Sequence, residues 1–270
     1  MAKSRISTPE RNSADWEKRS RKYGASLKSV LFKGMPDVVN EHFHRSHLDF
    51  IFGCLAETKK NIRILDSGCG YGRLSLPLIK AFPEADISGM DVSHHYVKLY
   101  QKITGRKAFV GRLEFMPEGV GKFDCIVAMA VLMYIERELT AKAISNLLDH
   151  LNSGGKLIII EPSASGTPYQ TAFGLLKILH MPSSATDVNT GGYCFQTGEI
   201  DRLIERGGAT IVKEERIPAT TLAFLPIYLL GKMLPAKGAR LCLRCISTLD
   251  RLLKDRKLPT LWTYHLAIKR

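Results

Sequence analysis

From residue 61 onward the chain alternates short apolar runs with amphipathic stretches. Strand-like runs fall at 62–66, 86–90, 107–110, 124–129, 156–160, 210–214 and 261–268, and helical periodicity fills 73–82, 94–104, 138–151 and 198–207. Short apolar strands separated by helices predict a mostly parallel sheet covered on both faces. Ahead of this core, residues 1–15 are polar and read as unstructured. Residues 16–60 read as helical, anchored by Trp16, Tyr23, Leu27, Val30 and Leu31 and broken at Gly34-Met35-Pro36. The last strand returns only after a long excursion over 219–258. The expected organisation is therefore a helical lid (1–60), an α/β core (61–218 and 259–270) and an inserted segment (219–258), within one compact unit.

One turn of this pattern carries chemistry. The run Ile64-Leu65-Asp66-Ser67-Gly68-Cys69-Gly70-Tyr71-Gly72 joins a buried strand to a glycine-rich turn, with a carboxylate at the junction. Glycine lets the backbone bend sharply and lets a ligand approach closely. The apolar stretch after it reads as a helix whose first N–H groups face the turn and suit an anion. Asp91 ends the next strand, where an acidic side chain accepts hydrogen bonds from both hydroxyls of a ribose. A nicotinamide site of G-x-G-x-x-G form wants a glycine at position 73, which is Arg here.

At these residues the chain resembles the class I S-adenosylmethionine-dependent methyltransferases, whose first motif reads approximately (V/I)LDxGCGxG. Further marks are Phe123-Asp124-Cys125-Ile126-Val127 and Leu151-Asn152-Ser153-Gly154-Gly155-Lys156-Leu157, and the likeness spans roughly 61–217 and 259–270. It implies a Rossmann-like sheet of seven strands, the last antiparallel, with S-adenosyl-L-methionine as cofactor. By resemblance, Asp66 orients the methionine end, while the turn residues Gly68, Cys69, Gly70 and Gly72 admit the cofactor's backbone contacts. Asp91 holds the ribose, Val92 packs on adenine, and Ala128 to Tyr134 line the methyl-donor side. Tyr23 closes over the cofactor or only packs. Many relatives carry an Asp at the position of Arg112; here Arg112 stacks on the adenine or points to solvent while Leu113 reads the base.

The lid holds Asn40-Glu41-His42-Phe43-His44-Arg45-Ser46-His47. His44 and His47 share a helix face and His42 does not, and no Cys or Asp completes a tetrahedral set, so no metal is expected. Imidazole suits removal of a hydroxyl proton, which makes His44 and His47 candidate catalytic bases; the alternative is that they are lid histidines bonding the backbone or the cofactor. The N-x-x-x-H-x-x-H spacing is also similar to that of bacterial surface-glycan methyltransferases, a weaker likeness than that of the first motif. It implies a sugar hydroxyl of a glycan or lipid-linked precursor as acceptor. A small hydrophobic metabolite such as a quinone is the alternative, and a non-catalytic cofactor-binding subunit with RNA or protein partners is another. The chain lacks NPPY, DPPY and Pro-Cys runs, which lowers a base-modifying reading.

Charge divides the chain. Of the net +13, residues 1–60 carry +5, residues 61–218 carry zero and residues 219–270 carry +8. A neutral core with basic flanks points to an anionic partner at an appended surface. The insertion opens with the apolar run 222–230 and continues through Lys232, Lys237, Arg240, Arg244, Arg251, Lys254, Arg256 and Lys257. It is expected to dip into a membrane interface, to roof an apolar pocket or to form a dimer contact. No apolar stretch reaches 18 residues, and no apolar leader opens the chain. Six scattered cysteines read as a reduced, cytoplasmic protein, and the basic insertion adds the inner membrane face as an expected place; Cys242 and Cys245 read as two faces of one helix. Oligomeric state is left open.

Overall fold

The structure is a computed structural model that describes residues 9–163 and 193–270, with side chains from residue 13. Three helices lead in: α1 (Pro9–Tyr23), α2 (Leu27–Val30) and α3 (Asp37–Leu55). Pro36, which cannot continue a helix from α2, stands immediately before α3. The core then runs β1 (Arg63–Ser67), α4 (Ser75–Ala81), β2 (Asp86–Asp91), α5 (His94–Thr104), β3 (Ala108–Val110), β4 (Phe123–Met129), α6 (Thr140–Asp149) and β5 (Leu151–Pro162). After residue 193 come α7 (Glu199–Arg206), β6 (Ala209–Arg216), α8 (Pro218–Leu222), α9 (Phe224–Met233), α10 (Ala236–Leu253) and β7 (Trp262–Lys269). Residues 9–15, expected to be unstructured, belong to α1.

The seven strands form one sheet in the order β3-β2-β1-β4-β5-β7-β6. The first five are parallel neighbours, and β7 runs antiparallel to both β5 and β6. This is the Rossmann-like methyltransferase sheet that the resemblance implied. Successive strand residues point to opposite faces. Ile64, Cys125, Val127, Ile158 and Ile160 therefore join a core with α3, α9 and α10, while Leu65, Ile126, Ala128, Leu157 and Ile159 join one with α6 and α7.

Two expectations shift. The helix over 73–82 begins only at Ser75, because the chain is still turning through Gly72. The strand over 156–160 extends back to Leu151. Phe123 pairs with Leu151 and Cys125 with Lys156, so residues 152–155 bulge opposite Asp124 without leaving the strand. The chain winds outward from β1 to β3 on one side and from β4 to β5 on the other. A crevice therefore opens at the carboxyl ends of β1 and β4, where such sheets bind ligands.

Candidate functional site

That crevice is a cavity of about 980 Å3, its open mouth included. Asp66, Gly68, Cys69 and Gly70 line it from the end of β1, Asp91 and Val92 from the end of β2, and Arg112 and Leu113 from beyond β3. Met129, Ala130 and Val131 close the β4 side, and Trp16 and Val30 reach in from the N-terminal helices.

The turn has its shape for a steric reason. Gly68 has φ +77°, and a Cβ there would lie 2.2 Å from Val131 Cγ2. Its N–H and that of Cys69 donate to Met90 O at 2.7 and 3.0 Å, tying the turn to β2. Gly72 also has positive φ, but a Cβ there would strike Thr104 at 2.7 Å. Gly72 thus packs the turn on α5 and does not line the cavity.

Asp91 is held from behind. Gly70 N–H donates to Oδ2 and Ser93 N–H to Oδ1, each at 2.9 Å. Each oxygen keeps a further lone pair for a ligand. Burial pushes its pKa up to about 6 against these hydrogen bonds. Asp66 is 2% exposed and accepts from Ser75 Oγ at 2.6 Å, and Ser75 in turn accepts from Tyr100 OH at 3.0 Å. Burial raises its pKa as well, with Ser75 opposing. The start of α4, expected to be open to an anion, is instead engaged with this carboxylate.

Arg73 was read only as the residue that excludes a nicotinamide motif. Its guanidinium is 6% exposed and lines the cavity. Nη1 donates to His44 Nδ1 at 2.9 Å and Nη2 to Met129 Sδ at 3.0 Å. No carboxylate among the described residues hydrogen-bonds to it. Burial lowers its pKa to about 10, so it remains charged at neutral pH. Asp66 acts on this cation electrostatically without a hydrogen bond, so an anion entering beside it would complete its pairing.

This geometry corrects the expectation for the lid histidines. Arginine only donates, so His44 Nδ1 is the acceptor and its proton sits on Nε2. Burial and the neighbouring Arg73 lower the His44 pKa to about 4. In this arrangement His44 Nδ1 holds the Arg73 guanidinium in place, which favours a positioning role over that of a base. His47 lies outside the cavity, fully buried, with ring centroids 5.3 Å from Trp262 and 6.0 Å from Tyr264. Among the described residues that line the cavity, none is a histidine.

The remaining candidates sort by place. Arg112 neither lies free in solvent nor presents an open face; it pairs with the buried carboxylate of Glu114 at the cavity wall. Ala128 is buried one position behind the wall, in register with Ser67 and Ile159. Tyr23 stands outside the cavity with Lys22 Nζ 5.3 Å from its ring centroid. Residues 219–258 contribute nothing to the cavity lining, so the apolar run there is not its roof. Phe224 and Ile227 instead bury against the core.

Two supports could not be read from local pattern. Glu161 ends β5 fully buried, its Oε1 accepting from Val131 N–H at 2.8 Å and Leu132 N–H at 2.7 Å. It holds the wall just after Ala130, a non-glycine residue at φ +52°. Burial pushes the Glu161 pKa up to about 8, the three backbone donors of residues 131–133 opposing. An acidic residue directly after the buried run Leu157-Ile158-Ile159-Ile160 was the available signal. The second support is Glu17 on α1, whose Oε2 accepts from Ser93 Oγ at 2.6 Å and His95 N–H at 3.1 Å. This latches α1 to the start of α5 and sets Trp16 edge-on to Tyr134, ring centroids 5.1 Å apart.

Comparison with known proteins agrees with this geometry. Residues 64–155 match the family described as "Methyltransferase domain". An uncharacterised protein of Rickettsia prowazekii (strain Madrid E) is 28% identical over 142 residues, which is 50% of this chain and 57% of that protein. Malonyl-[acyl-carrier protein] O-methyltransferase 2 of Ilyobacter polytropus is 26% identical over 133 residues, 46% of this chain and 48% of the relative. The chain thus spans about half the length of the curated relatives it matches. Among solved structures, magnesium protoporphyrin IX methyltransferase from Synechocystis PCC 6803, with bound S-adenosylhomocysteine, superposes with a TM-score of 0.57. Identity is 16%, covering 96% of each chain, and this likeness speaks to the fold.

Proposed function

We propose that this chain is an S-adenosylmethionine-dependent methyltransferase that methylates a sugar hydroxyl of a glycan or lipid-linked precursor. The observation that carries the enzyme class is one cavity in which Asp91, Asp66 and Arg73 converge on a glycine turn. Each of the three matches a part of the cofactor. Asp91 offers lone pairs to two ribose hydroxyls, Asp66 offers negative charge to the methionine ammonium, and Arg73 offers a buried cation to the carboxylate. Met90, Val92 and Leu113 give apolar sides for the adenine. S-adenosylmethionine supplies an activated methyl group on sulfonium.

Because the donor is activated, the chain's work is placement. Glu161 fixes residues 131–133, and Glu17 fixes α1, so both sides of the mouth are set before an acceptor arrives. Trp16 and Tyr134 line the mouth packed edge-on against each other, with Arg19 over the Trp16 ring. The N-x-x-x-H-x-x-H spacing of the lid is what supports the sugar acceptor.

The test is label transfer. Purified protein is incubated with methyl-labelled S-adenosylmethionine and separated glycan, lipid and RNA fractions. The proposal expects label in a glycan or glycolipid fraction as a methyl ether, found by mass spectrometry. Label confined to RNA or to small aromatic metabolites would replace the acceptor assignment and leave the enzyme class standing.

A further inference from the structure

Helices α9 and α10 each carry two apolar stripes. On α9, Phe224, Ile227, Tyr228 and Gly231 face inward, the last so close that a Cβ would lie 2.9 Å from Val39 Cγ2. On α10, Ala239 and Leu243 face the same core. Those inward stripes account for folding. The outward ones do not. Leu229 and Met233, four residues apart on α9, are 39% and 79% exposed. Leu241, Leu249 and Leu252 on α10 are 64%, 49% and 74% exposed, with exposed Cys245 completing the stripe. Spacings of four, eight and eleven residues from Leu241 put these on one side of the helix, away from Ala239 and Leu243. Leu222, at the end of α8, adds another exposed leucine at 61%.

The charge around these stripes is mainly basic, with exposed Asp255 between Lys254 and Arg256 and with Arg251 paired to Asp49. Between residues 219 and 254 the sole acidic residue is Asp250, and it is turned inward, 7% exposed, accepting from Ala219 N–H at 2.7 Å. Lys237, Arg244, Arg256 and Lys257 are exposed and have no acidic partner among the described residues. Arg240 is different, being held by Glu41 at 3.1 Å.

We infer that the outer face of α9 and α10 docks on an anionic phospholipid surface. Exposed Leu and Met beside unpaired Lys and Arg match a bilayer interface, where apolar side chains enter the acyl boundary and cations sit among phosphate headgroups. A nucleic acid would use the cations but would leave the leucines wet. A second copy meeting this face through a twofold axis would set like charges against each other. No helix among the described residues is long and apolar enough to cross a membrane, so the contact is a surface one. The inference stands apart from the methyl-transfer reading.

The experiment is vesicle flotation of the full chain with phosphatidylcholine vesicles, with and without phosphatidylglycerol. Binding is expected only with phosphatidylglycerol and should weaken as salt rises. Two variants separate the contributions: Lys237→Glu with Arg244→Glu, and Met233→Ser with Leu241→Ser. All four positions are exposed, so both variants should keep the wild-type melting temperature. Each should lower vesicle partitioning at least about tenfold. Failure to float at low salt would overturn the inference. So would charge-only dependence with matching loss of RNA binding. A dimer in sedimentation that dissociates on Leu241→Ser, without vesicle binding, would also overturn it.

Discussion

Two cavities among the described residues make a contrast, and the larger of the two is the less suited to a ligand. The second, about 1230 Å3 with its mouth, lies between α3, β6, β7 and α10. Its charges pair with one another: Glu215 takes Lys213 at 2.9 Å and Lys254 at 2.7 Å, and Arg251 reaches Asp49 at 3.7 Å. The cavity at the ends of β1, β2 and β4 is smaller but unbalanced. Asp91 keeps open lone pairs, and no carboxylate among the described residues hydrogen-bonds to Arg73. The lesson is that unmet electrostatic demand marks a binding site better than volume does.

The widest separation between the two should come from paired substitutions. Asp91→Ala should weaken S-adenosylhomocysteine binding about 10- to 100-fold, since hydrogen bonds to a charged group contribute roughly 1.5–3 kcal/mol. Glu215→Ala, in the other cavity, should leave that affinity unchanged. Protonation should mimic the first variant. With the Asp91 pKa near 6, wild-type affinity should hold above that pH and fall as pH drops through it, while the Asp91→Ala affinity stays level across the same window. Calorimetry across pH reads both, and equal effects at Asp91 and Glu215 would erase the distinction between the cavities.

A smaller effect tests the wall that only the first cavity needs. Above pH 8, where the Glu161 carboxyl is ionised, Glu161→Gln replaces one accepting oxygen with an NH2 group facing backbone donors. It should lower stability by about 1–3 kcal/mol and cofactor affinity by about fivefold. Thermal melts with and without S-adenosylhomocysteine measure both. An unchanged affinity would mean that residues 131–133 hold their place without the carboxylate.

These contrasts also mark what the sequence revealed. The alternation of strands and helices, the turn from Asp66 to Gly72 and the acid at Asp91 are local in the chain, so the sheet and the ligand-facing crevice were legible. The charge division was equally visible, and it led to the helix faces of α9 and α10. The surroundings of the two lid histidines were not legible, for a physical reason. Helical spacing put His44 and His47 on one face, but it could not show that Arg73, brought in from 29 residues away, occupies one ring and that Trp262 and Tyr264 bury the other. Glu161 reaching residues 131–133 and Glu17 reaching Ser93 are likewise contacts between distant segments; the acid at the end of the buried run 157–160 marked Glu161 but not its partners.

The most direct test of the account is calorimetric titration of the wild-type chain with S-adenosylhomocysteine and, separately, with NAD. The account predicts saturable one-to-one binding of S-adenosylhomocysteine and a raised melting temperature, by roughly 2.7 kcal/mol of added stability at a hundred times the dissociation constant. NAD should give neither. Binding of NAD without binding of S-adenosylhomocysteine would contradict the assignment of the cavity, and with it the methyltransferase reading.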